Sequence, residues 1–81
     1  MAENRVAVVA IIVEDMDSAA AVNAILHEFG EYIIGRMGLP YKQKKLNIIS
    51  VVVDAPQPII NSLSGKLGMI KGVKSKVLTA K

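Results

Sequence analysis

Two stretches of this chain are apolar at nearly every position, and they leave few ways for it to fold. Arg5 to Val13 reads RVAVVAIIV, and Leu46 to Asp54 reads LNIISVVVD. Each is short, rich in β-branched residues and closed by acid: Glu14, Asp15 and Asp17 after the first, Asp54 at the end of the second. β-Branched side chains fit a pleated strand and lose rotamer freedom in a helix. A short apolar run without alternation is expected of a strand buried on both faces. Strands of that kind belong in the middle of a sheet, so the rest of the chain must supply the edges and the cover.

The cover is written as two helices. After the first strand, Val22, Ile25, Leu26 and Phe29 recur at i, i+3, i+4 and i+7, which makes one apolar stripe. Ala19, Ala20, Ala21 and Ala24 raise helix propensity, Asp17 is placed to cap the first turn, and Gly30 stands where a C′ residue ends a helix. The second helix opens at Ala55-Pro56-Gln57-Pro58, since Pro is tolerated in a first turn. Ile60, Leu63 and Leu67 form its stripe, with Ile59 beside it and Gly68 as the stop. Gly65 inside this helix costs about 1 kcal/mol relative to Ala, which predicts a short helix or close packing at that point.

The edges are weaker strands. Glu31 to Met37 (EYIIGRM) contains Gly35, a residue that marks a bulge or a close backbone approach. Gly38 to Lys45 is polar and punctuated by Gly and Pro, as in a hairpin loop. Gly72 to Thr79 (GVKSKVLT) puts Lys on one face, which suits an edge. The order is β-α-β-β-α-β, the split βαβ pattern of ferredoxin-like α+β domains. It predicts a two-layer sandwich: a four-stranded antiparallel sheet with strands one and three central and both helices on one face. The matching segments Ala10–Glu14 and Ser50–Asp54, each an apolar strand running into acid and then a helix, echo one another across the two halves.

At 81 residues the chain is expected to form a single domain, 1–81. A domain of this size buries only about 60% of its unfolded surface. Yet 52% of its residues are hydrophobic, above the usual figure of about 45–50%. The sheet face away from the helices still carries Val, Ile and Ala, so a second copy or another protein is expected to cover it.

Chemistry that the fold supports elsewhere finds few of its parts here. There is no Cys, which removes thiolate metal sites, iron–sulfur ligation and Cys nucleophiles. The two apolar strands hold no aromatics on which RNA bases could stack. The loop after strand one is acidic, where an acylphosphatase-type enzyme needs an Arg. His27 is the one His, near the end of the first helix; it reads as a metal ligand or base, or as a residue favouring the negative helix end. Glu14, Asp15, Asp17 and Asp54 offer oxygen ligands for Mg²⁺ or Ca²⁺, or serve as caps and solvated loops. No catalytic, metal or cofactor site is expected. The net charge of +3 gathers at Lys42, Lys44 and Lys45 and at Lys71, Lys74, Lys76 and Lys81. These read as phosphate contacts or as solvated loop and edge lysines, and no direct nucleic-acid binding is expected. MAENRV has no signal-peptide pattern, and the Val6–Val13 run is too short to cross a membrane, so a cytoplasmic, membrane-free protein is expected.

One segment concentrates residues suited to binding: Gly35, Arg36, Met37, Gly38, Leu39, Pro40 and Tyr41. Gly admits close backbone approach, Arg forks onto an anion and Tyr stacks. The same residues also describe a hairpin with an Arg on an edge strand. Ile33 to Tyr41, followed by Asn47-Ile48-Ile49-Ser50 and Gly65-Lys66-Leu67-Gly68, with Arg5-Val6 and Ile11–Glu14 before them, resembles a small family to which regulation of the iron-only hydrogenase system is ascribed. The likeness runs over nearly the whole chain, and Pro56-Gln57-Pro58 departs from it. It implies an ACT-like fold, similar to the ligand-binding domain of the nickel-responsive repressor, and a module that oligomerises as a dimer or tetramer. It implies a regulator associated with the hydrogenase system and carries no established effector or catalytic residue. The expected function is a non-enzymatic regulator that senses a small-molecule effector or, alternatively, a module that docks on a hydrogenase-system partner protein without a ligand. That repressor's nickel site of three His and one Cys cannot be built with one His and no Cys. No helix-turn-helix or ribbon-helix-helix segment precedes strand one, so any transcription regulation is expected to pass through a partner.

Overall fold

The computed structural model describes residues 3–80. Strand β1 (Asn4–Val13) leads through a 3₁₀ turn (Met16–Ser18) into helix α1 (Ala19–Glu28). A second 3₁₀ turn (Gly30–Tyr32) precedes β2 (Ile33–Tyr41), and a third (Lys42–Lys44) joins it to β3 (Leu46–Pro56). Helix α2 (Gln57–Gly68) and β4 (Val73–Thr79) complete the chain. The four strands form one antiparallel sheet in the order β2-β3-β1-β4. The two apolar runs are the central strands, as their composition requires, and the sheet with its two helices is the expected βαββαβ sandwich.

Alternation divides the central strands cleanly. Ala7, Val9, Ile11 and Val13 of β1 and Ile49, Val51, Val53 and Ala55 of β3 are buried beneath the helices. From the other side come Val22, Leu26 and Phe29 of α1 with its C-cap, and Ile60, Leu63 and Leu67 of α2. Both helical stripes read from the sequence therefore face the core, with Ile25 and Ile59 packed at its margin. No polar side chain is buried among the described residues. Each fully buried aliphatic side chain contributes about 1.5–3 kcal/mol, so this aliphatic layer holds the fold. At its rim Lys66 of α2 contacts Glu28 of α1 at 2.6 Å and lies 5.5 Å from the Phe29 ring centre. Both charged ends are about half exposed, so this bridge adds little beyond joining the helix ends.

Several local expectations change. The cap after β1 is Asp15, not Asp17: its Oδ1 accepts the Asp17 amide at 3.0 Å and closes the 3₁₀ turn before α1. Gly30 is not a left-handed C′ residue; it enters the second 3₁₀ turn with negative φ. The second strand does not start at Glu31 or end at Met37. Gly38 to Tyr41 continue it, so the turn shrinks to Lys42–Lys44 with Lys45 left-handed at φ 55°. Pro40 is tolerated there because β2 is an edge strand. Asp54 does not exit its strand but lies inside β3, opposite Val6.

Gly65 meets neither expectation placed on it. Helix α2 runs for 12 residues, and a Cβ added at Gly65 would touch nothing within 4 Å. Gly65→Ala is therefore expected to raise stability by about 1 kcal/mol, the propensity difference alone, in denaturant or thermal unfolding.

Candidate functional site: the open sheet face

The helices cover one side of the sheet only. On the other side the strands align their alternate residues in rows. Leu39, Ile48, Ile12 and Lys74 make one; Met37, Ser50, Ala10 and Lys76 the next; Gly35, Val52, Val8 and Leu78 the third. Val6 and Asp54 pair beyond them. Val8, Ile12 and Ile48 are 38–39% exposed, and Met37, Leu39 and Leu78 between 57% and 76%. Exposed apolar side chains grouped over the centre of a sheet are uncommon on an isolated soluble domain.

A bulge in β2 determines what joins it. Ile33 pairs with Val53 on the helix side, but Gly35 pairs with Val52, so Ile34 is an extra residue. Without it, Met37, Leu39 and Tyr41 would point towards the helices, because a shift of one residue exchanges the faces. With it they join the open face, and Arg36, Gly38 and Pro40 take the helix side. Gly35 does mark a bulge, and no backbone crowds it: an added Cβ would meet nothing within 4 Å.

The segment Gly35 to Tyr41 is thus divided between two faces. Gly35, Met37, Leu39 and Tyr41 share the open one. The Arg36 guanidinium turns to α1, where it donates a hydrogen bond to Asn23 Oδ1 at 3.0 Å. Arg36 and Tyr41 do not converge. Arg36 lines neither of two depressions among the described residues. The larger, about 490 Å³, is a shallow groove on the open face over β1 and β4, lined by Ala10, Ile12, Lys74, Ser75 and Lys76. The smaller, about 210 Å³, lies between the β2–β3 turn and the loop after β1, lined by Met16, Pro40, Lys42, Lys45, Leu46 and Asn47.

Other candidates fall into structural places. His27 is exposed in the last turn of α1. Glu14 lies 3.7 Å from Lys74, and Asp15 is the cap described above. Among the described residues no three His, Asp or Glu side chains gather as a metal site. Lys42 and Lys44 occupy the hairpin turn; Lys81 lies outside the described residues. No described helix is long and apolar enough to cross a membrane.

Sequence reasoning left open which alternate residues of β1 and β3 face outwards. One signal was present: Ser50 and Asp54, an even number of residues apart, are polar and share the open face, whereas Asn47 on the other face stands at the start of the strand. β1 carries no such marker.

The topology defines a ferredoxin-like βαββαβ sandwich with its helices on one side of the sheet. The family model TM1266-like, described as "Iron-only hydrogenase system regulator, putative", matches residues 5–77, and the chain belongs to that family. The solved structure of the uncharacterised protein TM1266 from Thermotoga maritima is 40% identical, with a TM-score of 0.92 over 98% of this chain and 100% of that one. An unknown protein from Galdieria sulphuraria (20% identity, TM-score 0.68) matches over 98% of this chain and 51% of its own. A formyltetrahydrofolate deformylase from Pseudomonas putida KT2440 (14%, TM-score 0.64) matches over 90% and 28%. These last two share the fold and carry no functional inference. Among curated proteins there was no significant match.

Proposed function

We propose that this chain is a single-domain, non-enzymatic regulatory module that works as a homo-oligomer, a dimer or tetramer, assembled through its open sheet face. The observation that supports this is the patch of outward Val8, Ile12, Ile48, Met37 and Leu39 across three strands. Two such faces stacked would bury side chains that water now reaches, at about 25 cal/mol for each Å² of apolar area. A small-molecule effector in this reading binds where copies meet, beside Met37, Leu39 and Tyr41, and shifts the equilibrium between assembly states by its differential affinity. The family description supports an output in the iron-only hydrogenase system, and in this reading that output passes through a partner protein.

A second reading is favoured by Arg36. Its bond to Asn23 occupies the expected anion anchor, which supports a docking module that takes no small molecule. Native mass spectrometry of protein purified from its host separates the two. An oligomer mass with a constant adduct supports the effector reading. Bare oligomers support docking alone. A monomer at micromolar concentration would remove the homo-oligomer from both.

A further inference from the structure

The two edges of the sheet are built differently. The β2 edge is interrupted by the bulge at Ile34 and by Pro40, which has no amide to donate. The β4 edge has neither interruption. Its seven residues, Val73 to Thr79, contain no Gly or Pro and pair with β1 without a register shift. The direction of its backbone groups follows from two hydrogen bonds that continue this ladder: Ala80 donates to the Val6 carbonyl at 2.8 Å, and Glu14 donates to the Gly72 carbonyl at 2.7 Å. In an antiparallel pair the bonded positions alternate, so the even residues of β4 bond to β1. The amides and carbonyls of Ser75, Val77 and Thr79 therefore point outwards, along an edge where β4 has no strand beside it.

The side chains along this edge specify what can join it. On the open face β4 presents Lys74, Lys76 and Leu78 in succession, all exposed. Lys74 stands near Glu14, and Lys76 makes no ion pair with any described residue. A second copy fits poorly here. The register that pairs β4 with itself along its full length sets Lys76 against Lys76, and like charges directly opposite are destabilising. An acidic strand has the complementary charge.

We propose that β4 is the docking edge for an extended acidic segment of another protein, added antiparallel as a fifth strand. Read from its N-terminus, that segment places an apolar residue beside Leu78 and acidic residues beside Lys76 and Lys74, each two positions apart. Its backbone bonds to the outward groups of Ser75, Val77 and Thr79 supply affinity, and the lysines supply selection. This goes beyond the oligomer reading and does not rest on it: stacking covers the face of the sheet, whereas strand addition uses its edge.

The test uses the full-length chain and a synthetic nine-residue peptide with valine and two glutamates at the alternating positions and threonine between them. A second peptide carries lysine in place of each glutamate. Titration calorimetry is expected to show binding of the acidic peptide only, weakening as salt is raised. Amide exchange is expected to slow at Ser75, Val77 and Thr79. Lys76→Glu is expected to weaken the acidic peptide on the order of tenfold and to strengthen the basic one. Equal binding of both peptides, no binding of the acidic one, or protection elsewhere on the sheet would overturn the proposal. So would protection of those three amides without peptide, because a second copy would then occupy the edge. Sedimentation in the same buffer reads the oligomeric state independently, so either reading can fail alone.

Discussion

Val8→Asp is expected to convert the proposed assembly into folded monomers. Val8 lies in the middle of the open face, paired across the sheet with Val52 on one side and Leu78 on the other. In the separate domain it is 38% exposed, so a carboxylate there stays in water and the isolated fold loses about 1 kcal/mol or less, the span of strand propensities. In a stacked pair the same carboxylate loses its water and meets Val, Ile and Leu. An unpaired charge so placed costs several kcal/mol, and a symmetric interface incurs it twice. At about 1.4 kcal/mol per tenfold, the dissociation constant rises by roughly three orders of magnitude or more. Sedimentation equilibrium checks this: monomer mass with an unchanged far-ultraviolet spectrum. Val9→Asp is the contrast, since Val9 is fully buried beneath the helices and the same change there should unfold the domain. An unchanged oligomer mass for Val8→Asp would move the interface off this face.

The contrast between neighbouring Val8 and Val9 also measures what the sequence could disclose. The order of elements was legible because the two central strands are short unbroken apolar runs, the two helices carry stripes at helical spacing and β4 alternates its lysines. The face on which Val8 lies was not, because β1 is apolar at both parities and no polar residue in its interior breaks the tie. In the interior of β3 the tie is broken by Ser50 and Asp54, Asn47 at the strand's start being the polar residue of opposite parity. The end of β2 was misplaced for a different reason. Gly38 and Pro40 are turn residues in most contexts, but on an edge strand a missing amide leaves no central ladder bond unmade. The candidate segment Gly35 to Tyr41 was contiguous in sequence, and the bulge at Ile34 then set which members share a face. That geometry depends on the pairing register with β3, a long-range property that local composition does not encode.

Gly72→Ala is expected to lower the melting temperature by roughly 10–25 °C, the larger figure reached if the loop cannot yield. Gly72 is the one described glycine with positive φ, +74°. A side chain in that region costs about 1–2 kcal/mol for an L residue. Space adds a second cost. A Cβ at Gly72 would lie 2.4 Å from Asp15 Cβ and 3.1 Å from the Asp15 amide nitrogen, and neither belongs to a flexible side-chain tip that could swing aside. Asp15 is held in turn, since its carboxylate caps the 3₁₀ turn before α1, and its amide and that of Glu14 reach the Gly72 carbonyl at 3.4 and 2.7 Å. Ser18 Oγ donates to the Lys71 carbonyl at 2.6 Å, so two loops far apart in sequence are fastened together where β1 ends and β4 begins. A double-mutant cycle distinguishes the two costs. Asp15→Gly removes the Cβ that collides, so it should recover part of the loss in the Gly72→Ala background, with a coupling of about 1 kcal/mol or more. The φ cost should persist. Melting must be compared at one protein concentration, because association raises the apparent stability of any oligomer. If Gly72→Ala melts with the parent chain, the fastening of these loops contributes nothing to stability, and the register of β4 is held by its ladder with β1 alone.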